Sequence, residues 1–169
     1  MITDSTDHHS SEEKPMFKRM LVPVDGSSTS NRGHDQAIRL ARGSGATLYL
    51  LHVVDEHVLV QYSEAMAAVT EDYLDALRAS GRKILARAQA TVERQGVSCK
   101  AVLIENIVGS VADIIVDQAK KQRADVIVMG THGRRGVRRL VLGSDAEGVV
   151  RNAPVPVLLV RTGSMRPTE

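Results

Sequence analysis

Two stretches of the 169-residue chain hold residues suited to gripping a small anionic ligand. The first reads Pro23, Val24, Asp25, Gly26, Ser27, Ser28: an acid, a turn residue and two hydroxyls. The second runs Met129, Gly130, Thr131, His132, Gly133 and resumes at Gly143 and Ser144. Glycine leaves backbone N–H groups open to close approach, and a helix start adds unpaired donors and a favourable dipole. Gly130, Gly133, Gly143 and Ser144 therefore have the chemistry of a phosphate cradle. Taken alone, the same glycines read more simply as a pair of tight turns. Their spacing is informative: Gly130 and Gly133 enclose two residues, nine more lead to Gly143, and Ser144 follows at once.

Other candidate groups are weighed in the same way. Arg134, Arg135, Arg138 and Arg139 crowd the loop between the glycine elements. They suit a polyphosphate, though each taken singly reads more simply as a solvated loop charge; Arg134 or Arg135 is the candidate for the first role. His132 either touches a phosphate or shapes its turn. His52, inside an apolar run, reads as a hydrogen-bonded core or edge residue, and Cys99 reads as structural. His8 and His9 lack further ligands at a metal-binding spacing, so no metal site is expected from side chains alone. No glycine-rich stretch ends in Gly-Lys-Ser/Thr, and no strand precedes a dinucleotide fingerprint. A cradle here is of another kind, and no catalytic residue stands out.

The elements that must position these residues follow from periodicity and punctuation. An apolar run from Phe17 ends in Asp25 and Gly26, a buried strand and a turn. Cap-type serines, Ala37, Ile38 and Ala41, then Gly43 and Gly45, make a helix with a stop. A second strand covers 46–55. A long helix from about Ser63 to Gln95 keeps Met66, Val69, Tyr73, Leu77, Ile84, Leu85, Ala88 and Val92 at helical spacing and ends at Gly96. A third strand covers 97–106, a third helix follows Ser110 with Asp113 in a capping-box position, and 124–130 is a fourth strand. Residues 131–143 read as a loop, 144–153 as a short helix with Ser144 and Glu147 at capping-box spacing, and 155–161 as a fifth strand. Strands alternating with helices predict an α/β fold, a doubly wound five-stranded parallel sheet. Ligands of such sheets sit beyond the carboxyl ends of strands where strand order reverses.

Composition narrows the function classes. Twenty-two Lys plus Arg against 20 Asp plus Glu give a net charge of +2, no broad handle for nucleic acid or an anionic membrane. Aromatic residues at 2% leave little on which to stack bases, so a nucleic-acid partner is not expected. One cysteine, no apolar run near the roughly 18 residues of a membrane span and no signal-peptide pattern predict a cytoplasmic protein. Length predicts one domain over 16–162, between a disordered tail at 1–15 and a short tail at 163–169.

The glycine pattern, placed after the fourth of five strands, resembles the nucleotide-binding signature of the universal stress protein family. VPVDGS at 22–27, LLHVVD at 50–55, ADVIVMGTHG at 124–133 and NAPVPVLLVR at 152–161 extend the resemblance over about Phe17 to Arg161. It implies a Rossmann-like, three-layer sandwich of the adenine nucleotide alpha hydrolase-like kind. It further implies ATP as ligand, with Mg²⁺, and a nucleotide-responsive regulatory role in the stress response with an unidentified protein partner. By the same resemblance Asp25 lies by the ribose and adenine, Pro23 precedes it, and Val53 lines the adenine pocket. Met129, Gly130, His132, Gly133 and Arg134 approach ribose and phosphates, while Gly143, Ser144, Asp145 and Ala146 form the phosphate-facing helix start. A carboxylate suits paired ribose hydroxyls because it accepts two hydrogen bonds; Asp25 capping the following helix is the alternative. Family members pair through the last strand, here carrying Val155, Val157 and Leu159 in alternation, which implies a homodimer.

One departure stands out: many nucleotide-binding relatives have an uncharged residue after the signature serine, where this chain has Asp145. Competing readings are a slow ATPase or ATP-dependent enzyme, and a dimerisation module that binds no nucleotide. An enzyme needs a positioned base and metal ligands near the γ-phosphate, for which the signature region offers Asp145 and Glu147. A signalling receiver is rejected because Asp25 alone fills any of its required positions.

Overall fold

In the computed structural model, residues 16–55, 67–106, 109–132 and 142–161 are described. The chain runs β1 Arg19–Pro23, α1 Ser28–Ala41, β2 Thr47–Asp55, α2 Ala67–Arg94, β3 Ser98–Asn106, α3 Val111–Lys121, β4 Val126–Gly130, α4 Ser144–Asn152 and β5 Val157–Val160. All strand pairs are parallel, in the order β3-β2-β1-β4-β5. The first strand thus lies in the middle, which is why its residues are apolar on both faces. Met20 and Val22 join α1 and α2 on one side of the sheet, while Leu21 joins α3 and α4 on the other. These are the expected three layers. Met20, Leu21, Val22, Leu48, Leu50, Leu51 and Ile127 are fully buried, each contributing about 1.5–3 kcal/mol on leaving water.

Helix starts follow their side chains. Ser27 caps α1, accepting the Ser30 N–H, and Ser110 caps α3, accepting the Asp113 N–H at 3.1 Å. The α4 start differs from its sequence reading. Gly143 is the cap residue and Ser144 already has helical backbone, so the Ser144–Glu147 capping box does not form. Glu147 instead pairs one turn on with Arg151, at 2.8 Å.

Three other details depart from expectation. Regular pairing of β1 begins at Arg19 rather than Phe17; Asp125 accepts the Lys18 and Arg19 N–H groups at 2.8 and 3.1 Å at this point. Tyr73, expected on the buried stripe of α2, is 52% exposed. Val155, Val157 and Leu159 are half-buried against the α3/α4 core, and the outward residue of β5 is Leu158, 38% exposed. The tails expected at 1–15 and 163–169, and residues 63–66 of the predicted second helix, lie outside the described residues. No described helix is long and apolar enough to cross a membrane.

Candidate nucleotide site

β1 and β4 lie side by side, and β1 is flanked by β2 on its other edge, so the strand order reverses at their carboxyl ends. The chain leaving β1 is tightly organised. Asp25 accepts the Ser27 N–H on its carboxylate at 2.8 Å, a local turn; the helix cap belongs to Ser27. The Asp25 N–H donates to Ser30 Oγ at 3.1 Å, and Ser30 Oγ donates to the Pro23 carbonyl at 3.3 Å. Gly26 adopts φ +80°, which favours glycine. His52 is buried as expected, its Nδ1 2.6 Å from the Val24 carbonyl.

At the end of β4, Thr131 is the junction. Its N–H donates to the Val160 carbonyl at 3.1 Å, and its carbonyl accepts the Gly143 N–H at 3.0 Å. The second bond folds the start of α4 back over the strand end, joining the two glycine-bearing parts of the second stretch. A Cβ on Gly143 would stand 3.3 Å from the Thr131 oxygen, a tight but open fit. Gly143, the cap residue of α4, supplies no side-chain bond to the first turn, whose acids are Asp145 and Glu147. The leading N–H groups of the helix are therefore placed to receive an anion.

The predicted site residues separate by role. Pro23, Asp25 and His132 are half-buried at the strand ends, and Ser144 and Asp145 are exposed on the first turn of α4. Val53 is half-buried on the α3/α4 side, the side on which Met129 is buried. Ala146 is 2% exposed and packs in the same core, so only its backbone can face a ligand. Gly130 is a glycine for a reason other than ligand approach. A Cβ there would lie 2.6 Å from the Thr29 carbonyl carbon, so α1 occupies the space. Thr29 Oγ1 donates a short hydrogen bond to the His132 carbonyl, holding α1 to the same strand end. Gly133 and Arg134 lie outside the described residues.

Sequence reasoning missed the contribution of α2. Asp25, Gly26 and Ser27 face Ser80, Lys83, Ile84 and Arg87 across a groove of about 510 Å³. The available signal was the spacing of those four residues, one stripe on a helix.

The sequence profile of the Universal stress protein family matches residues 16–161. The chain belongs to the universal stress protein family. Among its relatives is Universal stress protein MJ0531 of Methanocaldococcus jannaschii, 35% identical over 146 residues that cover 86% of this chain and 83% of that protein. Universal stress protein UspA from Lactobacillus plantarum superposes with a TM-score of 0.75 at 29% identity, covering 85% of this chain and 97% of that one. A universal stress protein solved in complex with cAMP shares the fold, with a TM-score of 0.60 at 24% identity over 87% of this chain and 98% of its own. Other solved family members hold dAMP and AMP.

Proposed function

We propose that this universal stress protein binds ATP at the meeting of β1, β4 and α4, and acts as a nucleotide-responsive dimer in the cytoplasm. The observation that carries this reading is the Gly143–Thr131 hydrogen bond of 3.0 Å, which sets an uncapped helix start against the strand ends at the switch point. The fit is chemical as well as positional. N–H groups at a helix start suit phosphate oxygens, and the half-buried Asp25 suits ribose hydroxyls. Val53, half-buried on the α3/α4 side, offers apolar surface for adenine. Bound cAMP, dAMP and AMP in solved relatives support an adenine nucleotide as the ligand class. When bound, Mg²⁺ would supply positive charge between phosphate oxygens and the Asp145 carboxylate. Asp145 would then be a ligand to the ion rather than a repulsive neighbour of the phosphates.

Titration calorimetry with ATP tests this. Wild-type protein is expected to bind in the micromolar range, and Gly143→Val to remain folded and lose binding, because the added side chain closes the approach to the helix start. Absence of ATP binding by the wild type, or equal binding by folded Gly143→Val, overturns the reading.

A further inference from the structure

The groove between the β1–α1 turn and α2 holds chemistry that the nucleotide reading leaves unused. A Cβ on Gly26 would lie 3.4 Å from Ile84, so α2 packs directly on the turn that carries Asp25. That contact aims the stripe Ser80, Lys83, Ile84 and Arg87 into the groove, opposite Asp25 and Ser27. Lys83 and Arg87 are exposed and stand four residues apart, where like charges repel. The residues three and four positions to either side of them are Ala79, Ser80, Ile84, Ala86, Ala90 and Thr91, besides each other, so no acid on α2 offsets either charge. Among the described residues, the ion pairs of this helix engage Arg78, with Asp75 at 3.2 Å and Glu105 at 3.3 Å, and leave Lys83 and Arg87 out. Two cations side by side on one wall of a groove concentrate positive potential on that wall.

Asp25 makes the groove selective. A bare anion facing Lys83 and Arg87 also faces this carboxylate. A ligand with a hydroxyl for Asp25 and an anionic group one bond system away satisfies both walls. A ribose with a phosphate on one of its 2′ and 3′ oxygens has both features, since the other hydroxyl remains to donate. We infer that this groove is a subsite for a 2′- or 3′-phosphate of an adenine nucleotide, with Asp25 holding the remaining ribose hydroxyl and Lys83 and Arg87 holding the phosphate. The inference rests on the nucleotide reading above, and it assigns α2 a part in choosing among adenine nucleotides.

The test compares AMP with adenosine 2′,5′-bisphosphate and adenosine 3′,5′-bisphosphate by calorimetry, on wild type and on the double variant Lys83→Gln, Arg87→Gln. Glutamine keeps helix propensity, and far-ultraviolet circular dichroism checks that α2 is intact. Wild type is expected to bind one bisphosphate about tenfold more tightly than AMP, the scale of a charge-assisted contact. In the double variant that preference disappears. Equal affinity of the wild type for AMP and both bisphosphates overturns the subsite and leaves the nucleotide reading standing. A preference that survives in the double variant also overturns it, by putting the phosphate elsewhere. Failure of all three ligands to bind overturns the nucleotide reading itself, and the subsite with it.

Discussion

Gly130 sits where α1 crosses β4, and its missing side chain is a packing requirement. Gly33 answers it from the helix, since a Cβ there would lie 3.0 Å from the Gly130 nitrogen. Gly130→Ala forces backbone apart from backbone, which no rotamer can relieve, and is expected to cost about 1–3 kcal/mol in chemical denaturation. Gly143→Ala meets the Thr131 oxygen at 3.3 Å and needs only a slight shift, so its stability should change far less. Equal stabilities for the two variants would show that the α1–β4 crossing has room for a methyl group. His34 is a second residue with a measurable consequence. It is buried between α1 and α2, with Nε2 3.1 Å from the Ala88 carbonyl and Nδ1 3.7 Å from the Asp35 carboxylate. Burial pushes its pKa below the ordinary 6.5, against the opposing pull of Asp35 and the Ala88 carbonyl. The unfolded chain therefore takes up the proton first as pH falls. Stability from neutral His34 is full above 6.5, declines as pH drops toward the lowered folded value, and levels off below it. Denaturation midpoints of His34→Gln should fall less than those of the wild type between neutral and mildly acidic pH; parallel curves for the two proteins would exclude this role.

Among the helices with a described cap, α1 and α3 are closed by serine, and α4 begins on Gly143 with no side-chain bond. Asp145, on that first turn, favourably opposes the helix dipole and also stands beside the proposed phosphates. Asp145→Asn keeps the size and removes the charge. It is expected to raise ATP affinity in chelator, where Coulomb repulsion at an effective dielectric near 20 is on the order of 1–3 kcal/mol, and to shrink the gain from added Mg²⁺. Identical affinities for wild type and variant, with and without Mg²⁺, would turn the carboxylate away from the ligand. Such elements were legible in sequence where the cause is local. The apolar runs at 19–23 and 126–130, the serines before α1 and α3, and the glycines at 43, 45 and 96 specify strand, start and stop without reference to the rest of the chain. The site was legible at the strand ends for the same reason. Non-local causes left no such mark. Ser144 and Glu147 have capping-box spacing, yet Gly143 takes the cap because its N–H is drawn to Thr131. Lys83 and Arg87 look like any solvated helix charges until Ile84 meets Gly26 and turns them toward Asp25.

Over the whole molecule, β5 is the outer strand next to β4, and β3 closes the opposite side. We expect the dimer to form through β5. The residue to test is Leu158, 38% exposed, rather than Val157, whose side chain supports the α3/α4 core. Leu158→Lys should shift sedimentation at tens of micromolar protein from dimer to monomer, with stability of the monomer unit changed by less than about 0.5 kcal/mol. A monomeric wild type, or a Leu158→Lys protein that remains dimeric, would move the interface elsewhere.

The central place of β1 also bears on how a ribosome must deliver this chain. Asp125 accepts the Lys18 N–H across 107 residues, and Leu21 finds its neighbour Ile127 at a similar separation. The strand made first is thus enclosed only when the fourth arrives. At about 5–20 residues per second, β1 waits on the order of ten seconds with one edge open, while β2 and β3 already pair on the other side. Its Met20, Leu21 and Val22, sealed in the finished protein, are for that interval an apolar edge open to chaperones and to neighbouring nascent chains.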